Sequence, residues 1–367
     1  MLGFFIISVS DPSILDWNDR SLRIIEEVKL YNCDILTFQE VHFEHFETFF
    51  VPNLRSLGYE GIYKKRTGDK LDGCAIFYKY EKVKLSNVHD CIYFVGFSNF
   101  ESFLQINLIE TLDVEYNQSQ SPETLNRDNI GLLAKFAPKS SNNGQNCFCV
   151  ATTHLLYNPR RMDVRLSQMM LILAELDRFS RRNLTNYWPV ILTGDFNSSA
   201  ESPIYDLLVH GNCNYQNVKM KYTYPGLINP NLGITDTCKH FCDIVRLENS
   251  LKLDQNATIV PVIAHPSFFG TGVLRQGYGF KSVYNPFVRP RVVTTRQNDY
   301  VMVDFIFYSR FFSSKFSKFI EGPLKLLGRL NLLTASECSK LGHLPNKSCP
   351  SDHLSLVAQF LLTNKQK

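Results

Sequence analysis

The strongest constraint on this chain is where its short apolar runs stop. DILTF (34–38), CFCVATT (147–153), PVILT (189–193), DFIFYS (304–309) and LSLVAQF (354–360) are all of strand length, and each adjoins or carries a polar group. Those groups are Gln39 and Glu40, His154, Asp195 and Asn197, Asp304, and Asp352 with His353. Runs of this length bury themselves as strands. Polar side chains at strand ends converge on one edge of a sheet, where chemistry is usually sited.

Between the strands lie segments with helical spacing. Trp17, Leu22, Ile25, Val28 and Leu30 form one, residues 43–55 a second and 161–178 a third. Further strands are expected at 59–64 and 73–79, joined by the polar loop RTGDKLDG, and at 102–109 and 130–136. Alternation of this kind predicts an α/β sandwich rather than an all-β or bundle fold. Residues 214–300 are rich in Asn, Pro, Gly and Tyr with weak periodicity. They are expected to be an elaborated insertion at a substrate rim, within one domain over 1–367 whose two ends feed the same core.

Composition excludes several classes. With 44% hydrophobic and 13% aromatic residues, the chain can bury a large core and is not disordered. A net charge of +4 is too small for nonspecific coating of a polyanion, which would need a local basic site. Lys64, Lys65, Arg66 and Lys70 form one basic hairpin. The ten cysteines sit mostly in apolar runs and read as reduced core thiols, and Cys238, His240 and Cys242 lack the CxxC pairs of structural zinc. MLGFFIISVS has no positive n-region and reads as a strand, and no run approaches the roughly 18 apolar residues of a membrane span. The sequon at Asn197–Ser199 falls in the GDFN turn, where a glycan would cover the polar cluster. An intracellular protein is expected, cytoplasmic with the nucleus as a second location.

Singly, each polar group has a plain structural reading as a cap neighbour, a turn or a surface residue. Jointly and in this order, LTFQEV (36–41), TH (153–154), GDFNS (194–198), VDFIFYS (303–309) and SDHLSL (351–356) resemble the endonuclease/exonuclease/phosphatase superfamily. YKKRTGDKLDGCAIFYK (63–79), NRDNIGL (126–132), THLLYNPRR (153–161) and LPNKSCPSDH (344–353) are similar to its deadenylase–nocturnin branch, most like the Angel proteins. The resemblance implies a four-layer α/β sandwich, two mixed β-sheets packed face to face with helices outside. It also implies a Mg²⁺-dependent phosphoesterase, with Mn²⁺ as a second ion, acting on the 3′ end of single-stranded RNA. The first reading is a 3′-to-5′ exoribonuclease of deadenylase type. The alternatives are a phosphatase of terminal or 2′,3′-cyclic phosphates and a catalytically impaired binding member.

Phosphodiester hydrolysis builds negative charge on phosphoryl oxygens, which a hard divalent ion held by carboxylates stabilises. Glu40 is the first such ligand, and the resemblance adds Asp352. It makes Asp195 the base that deprotonates the attacking water, with Asn197 donating to a phosphoryl oxygen and Asp304 fixing the tautomer of an imidazolium at His353. His353 as the base remains open. By resemblance His154 supports the phosphate, Pro159 lines the terminal-base pocket and Asn129 faces substrate, while Arg160 and Arg161 offer forks for RNA phosphates. Two features depart from the pattern. The family's first strand, ending in an asparagine, has no counterpart, which reads as a shortened transcript or gene model with residues 1–9 as a makeshift strand. Asp299 stands where a deadenylase carries a base-stacking aromatic.

Overall fold

A computed structural model describes residues 12–80, 106–118, 124–139, 146–183, 186–216, 218, 233–246, 271–313 and 318–363. Residues 1–9 and the start of the strand expected at 102 lie outside these. The first helix, Trp17–Tyr31, starts where the Asp16 side chain accepts from the Asn18 N–H and ends at Asn32 in the left-handed conformation. It leads into β1 (Ile35–His42). A continuous helical stretch over 43–56 follows, then β2 (Tyr59–Lys65) and β3 (Asp72–Lys79). These strands form a three-stranded antiparallel sheet with β3 in the middle.

The second sheet contains β4 (Ile106–Glu115), β5 (Ile130–Pro138), β6 (Phe148–His154) and β7 (Val190–Asp195). Beyond β7 come the strand Asp304–Tyr308 and, at the edge, Lys281–Ser282. All its pairings are antiparallel except β6 with β7, which the long helix Met162–Phe179 connects as a parallel crossover.

Alternation along β3 and β6 divides the core into layers. Cys74, Ile76 and Tyr78 meet Ile130, Leu132, Phe136, Phe148 and Val150 between the sheets. Ala75 and Phe77, on the opposite face of β3, pack on Ile25 and Val28 of the first helix and on Phe46, Phe50 and Leu54. Cys149 and Ala151, on the opposite face of β6, pack on the long helix and on the helix Pro203–His210. The order is therefore helix, sheet, sheet, helix, as the sequence led us to expect. Of the stretch 214–300, residues 214–216, 218, 233–246 and 271–300 are described. Phe280, Val283 and Tyr284 are core residues, and Val283 donates to Ile306 O on the strand next to the sheet's edge.

Two local features aim the site. Leu36, Phe38 and Val41 all face the helical layer, so the register slip between Phe38 and Val41 is a bulge that gives up Gln39 and Glu40 to the sheet's end. Glu40 has a φ of 58° there. At β7, Gly194 has a φ of 137° and lies so close to β6 that an added Cβ would sit 2.0 Å from Thr153 O. Gly194→Ala is therefore expected to lower stability by roughly 2–4 kcal/mol. Urea unfolding would measure it, and the midpoint should fall with little change in m.

Candidate active site

The site grows from strand pairing. His154 is registered against Asp195 across the parallel pair, and Asp195 against Asp304 across the antiparallel one. Three neighbouring strands thus end in His, Asp and Asp, side by side. Further backbone bonds lock this edge: Leu155 donates to Asp195 O at 3.0 Å, and Phe196 donates to Val303 O at 3.0 Å. Thr294 adds its hydroxyl oxygen, which accepts from the N–H groups of Val303 and Asp304.

His353 arrives from a distant loop. Arg20 and Arg23 of the first helix donate to the carbonyls of Pro350 and Asn346, at 2.8 and 2.6 Å. Thr295 pairs with His353 in a backbone bridge and donates its hydroxyl to Asp352 O at 2.8 Å. The result is a 2.8 Å contact between His353 Nδ1 and Asp304 Oδ2.

Charge balance follows from this crowding. Asp195 is buried, and burial, reinforced by the Asp304 carboxylate, pushes its pKa up to about 6, although His154, His353 and the Asn197 N–H pull the other way. Burial alone would lower the His353 pKa. The Asp304 charge and hydrogen bond, with help from Asp195 and Asp352, outweigh that and raise it to about 10. His154 Nε2 lies 3.6 Å from Asp195 Oδ2, while its buried Nδ1 has no hydrogen-bond partner and faces Glu40 Oε1 at 3.9 Å. Asn197, at a φ of 46°, donates its backbone N–H to Asp195 Oδ1 and one side-chain proton to Leu155 O.

The donor set suits a hard cation. Asp195, Asp304 and His353 offer ligand atoms within 4.8 Å of one another, and Glu40 adds a carboxylate that is two-thirds exposed. Asp352 is exposed beside His353. In contrast, Cys238, His240 and Cys242 gather no metal-binding group among the described residues. His240 contacts Glu175 at 2.8 Å, Cys238 is buried and Cys242 sits against Arg178. Every described cysteine is free, and most are buried.

Other residues singled out in the sequence lie around this edge. Asn129 is buried, with its amide donating to His154 O at 3.0 Å and accepting from Gln168 at 3.2 Å. Arg161 is buried in a two-pronged contact with Asp163, whose carboxylate offsets the desolvation of the guanidinium. Pro159 and Arg160 are exposed on the loop after β6. Two of the four basic residues of the hairpin meet acids: Lys64 pairs with Glu115 and Asp113, and Arg66 pairs with Asp72. The sequence reading missed Arg165, Gln168 and Thr294. Their only signal was polarity on the face of a helix or loop that had to be buried.

The endonuclease/exonuclease/phosphatase family profile matches residues 2–353. The chain belongs to that family. Among curated relatives of the family, mouse protein angel homolog 2 is 33% identical over 95% of this chain and 64% of its own length. Human protein angel homolog 1 is 31% identical over 95% of this chain and 59% of its own. The chain thus spans under two thirds of these relatives. Among solved structures, ANGEL2, described as a 2′,3′-cyclic phosphatase and bound to adenosine-2′,3′-vanadate, superposes with a TM-score of 0.72. It is 31% identical, over 96% of this chain and 88% of that one. The human nocturnin catalytic domain shares the fold, with a TM-score of 0.55, 21% identity and coverage of 95% of this chain and 88% of that one. No helix among the described residues is long and apolar enough to cross a membrane.

Asp304→Asn removes the negative charge that holds the His353 proton and keeps the side chain's shape. The imidazole should then titrate well below its wild-type value of about 10. Because the folded value lies above the ordinary 6.5, the stability gained from this pairing is complete below about 6.5 and is lost as pH rises through about 10. Proton-detected titration of His353 would measure the shift, and an unchanged value would break the pairing.

Proposed function

We propose that the chain is a divalent-metal-dependent hydrolase of 2′,3′-cyclic phosphate at RNA 3′ ends. The observation that carries this reading is the likeness to ANGEL2 across nearly the whole chain, with an acid–imidazole row at the same strand ends that the family motifs mark. Asp299 favours it over the exoribonuclease reading. It is an exposed acid at the tip of the hairpin joining Thr295–Arg296 to Tyr300–Val301, and it cannot stack a base as an aromatic would.

Opening the cyclic ester requires a water to lose a proton while attacking phosphorus and a ribose oxygen to leave. An imidazole held protonated to about pH 10 is a poor proton acceptor at neutral pH, whereas a carboxylate with a pKa of about 6 is well matched to the task. Asp195 therefore takes the proton, and His353, charged and steadied by Asp304, faces the developing negative charge. Asn197 keeps one amide proton beyond the one given to Leu155 O and can donate it to a phosphoryl oxygen. His154 lies between Asp195 and Glu40. Glu40, whose lone pairs no hydrogen bond claims among the described residues, would hold Mg²⁺ or Mn²⁺ together with Asp352. The bound ion supplies Lewis-acid stabilisation of the phosphoryl oxygens. The cytoplasm, with the nucleus as a second location, is the proposed compartment.

The test is incubation of purified protein, with and without Mg²⁺, with RNAs ending in a 2′,3′-cyclic phosphate, a 3′-phosphate or a 3′-hydroxyl poly(A) tail. Metal-dependent loss of the cyclic group without shortening is expected. Shortening of the tail with the cyclic end untouched would restore the exoribonuclease reading, and binding without turnover would favour the impaired one. Asp195→Ala should lose roughly 10²- to 10⁴-fold in rate with RNA affinity retained. Glu40→Ala should instead raise the Mg²⁺ requirement. Against pH, kcat/KM should rise through about 6 with the ionisation of Asp195 and fall toward about 10 as His353 loses its proton.

A further inference from the structure

The hairpin that carries Asp299 is fastened to the site at its base. Thr294 donates its N–H to Val301 O at 2.8 Å, and its carbonyl accepts from the N–H of Leu354 at 2.7 Å. The next residue, Thr295, is bridged to His353 and bonded to Asp352 O. Thr295 is buried, so alternation along the short strand Thr295–Arg296 turns Arg296 outward, where it is exposed. A cationic side chain therefore starts one residue from the backbone that holds Asp352 and His353.

An exposed arginine usually samples many rotamers or pairs with an acid. Arg296 does neither: the described residues give it no carboxylate partner, yet two groups orient it. Its guanidinium lies over the Tyr300 ring, 5.4 Å from the centroid, and donates to His343 Nδ1 at 2.5 Å. Both groups stand on packed ground. Tyr300, registered opposite Arg296 across the hairpin, packs on the buried cluster of Val293, Cys338 and Leu344. His343 immediately precedes Leu344 of that cluster. A ring face and a neutral imidazole nitrogen steady the guanidinium without cancelling its charge, and the rest of its N–H fork stays unclaimed. A planar cation held still, unneutralised and open to solvent suits a phosphate, which it can grip with two parallel hydrogen bonds.

We propose that Arg296 binds the phosphodiester on the 5′ side of the substrate's terminal nucleotide, and that His343 and Tyr300 are positioning residues that orient its guanidinium. This rests on the reading of the site as one for RNA 3′ ends. It adds that the substrate is a chain and not a free cyclic nucleotide, because the charge recognised here belongs to an internal linkage.

The experiment compares three substrates: adenosine 2′,3′-cyclic phosphate, a short RNA with a 2′,3′-cyclic end, and the same RNA with an uncharged methylphosphonate as its last internal linkage. Both RNAs carry 2′-O-methyl on the penultimate ribose, which keeps that linkage stable. Kinetics give KM and kcat for each, and anisotropy of the 5′-labelled RNAs without Mg²⁺ gives affinity. Arg296→Gln should raise KM for the charged RNA roughly ten-fold with kcat unchanged, and should leave the mononucleotide and the methylphosphonate RNA as they are in wild type. The slope of log affinity against log salt should fall by about 0.7, the share of one phosphate contact to a single strand. Arg296→Lys keeps the charge without the fork and should recover only part of the loss. His343→Phe and Tyr300→Leu should each raise KM less than Arg296→Gln, and on the charged RNA alone. An equal rise on all three substrates would assign Arg296 to the cyclic phosphate and overturn the proposal, as would an unchanged KM on the charged RNA. If the wild type turns over none of the three but binds the charged RNA with an affinity that Arg296→Gln and the methylphosphonate lower to the same extent, singly or together, the phosphate contact stands and the hydrolase reading falls.

Discussion

Everything at this site depends on two carboxylates made neighbours by strand pairing. Asp195 and Asp304 are registered partners on adjacent strands, one of them fully enclosed, and like charges so close resist ionising together. The protein answers with imidazoles on either side: His154 on the flanking strand and His353 from the C-terminal loop. The enclosed carboxylate ends up a weaker acid than usual and the distal imidazole a stronger base than usual. One arrangement thus yields a carboxylate that ionises nearer neutrality and an imidazole that keeps its charge well above it. Gly194 is part of the same constraint, since β7 can lie against β6 at this point only without a side chain.

Much of this was legible in the sequence because it obeys short-range rules. Strand-length apolar runs closed by His, Asp and Asn specify both the elements and their polar ends, and near-continuous burial along β3 and β6 fits strands covered on both faces. The bulge at Gln39 and Glu40 was not legible, since a slip in register shows only against a partner strand. Nor was the burial of Asn129 and Arg161, polar residues whose protein partners lie far off in the chain or on a helix not yet placed. Arg165 escaped for another reason. Its neighbours in the chain are core residues of a helix, and only the three-dimensional path of the loop before that helix reveals the carbonyl that its guanidinium binds.

The relatives sharpen this division. Likeness to the Angel proteins extends over 95% of the chain, and the family profile spans the motifs that hold the strand-end residues. The elements that fix the site therefore run through most of the matched length. Phe280, Val283 and Tyr284 belong to the core, so a weakly periodic stretch can still carry packing.

The tether between the first helix and the 346–350 loop has a consequence for how the molecule comes into being. Arg20 and Arg23 emerge from a ribosome more than three hundred residues before the carbonyls that they bind. Until residue 353 is made, the acid pair at 195 and 304 lacks its distal cation, and the arginines have no loop to hold. The contact between His353 and Asp304, which completes the polar row, therefore waits until residue 353 has left the ribosome.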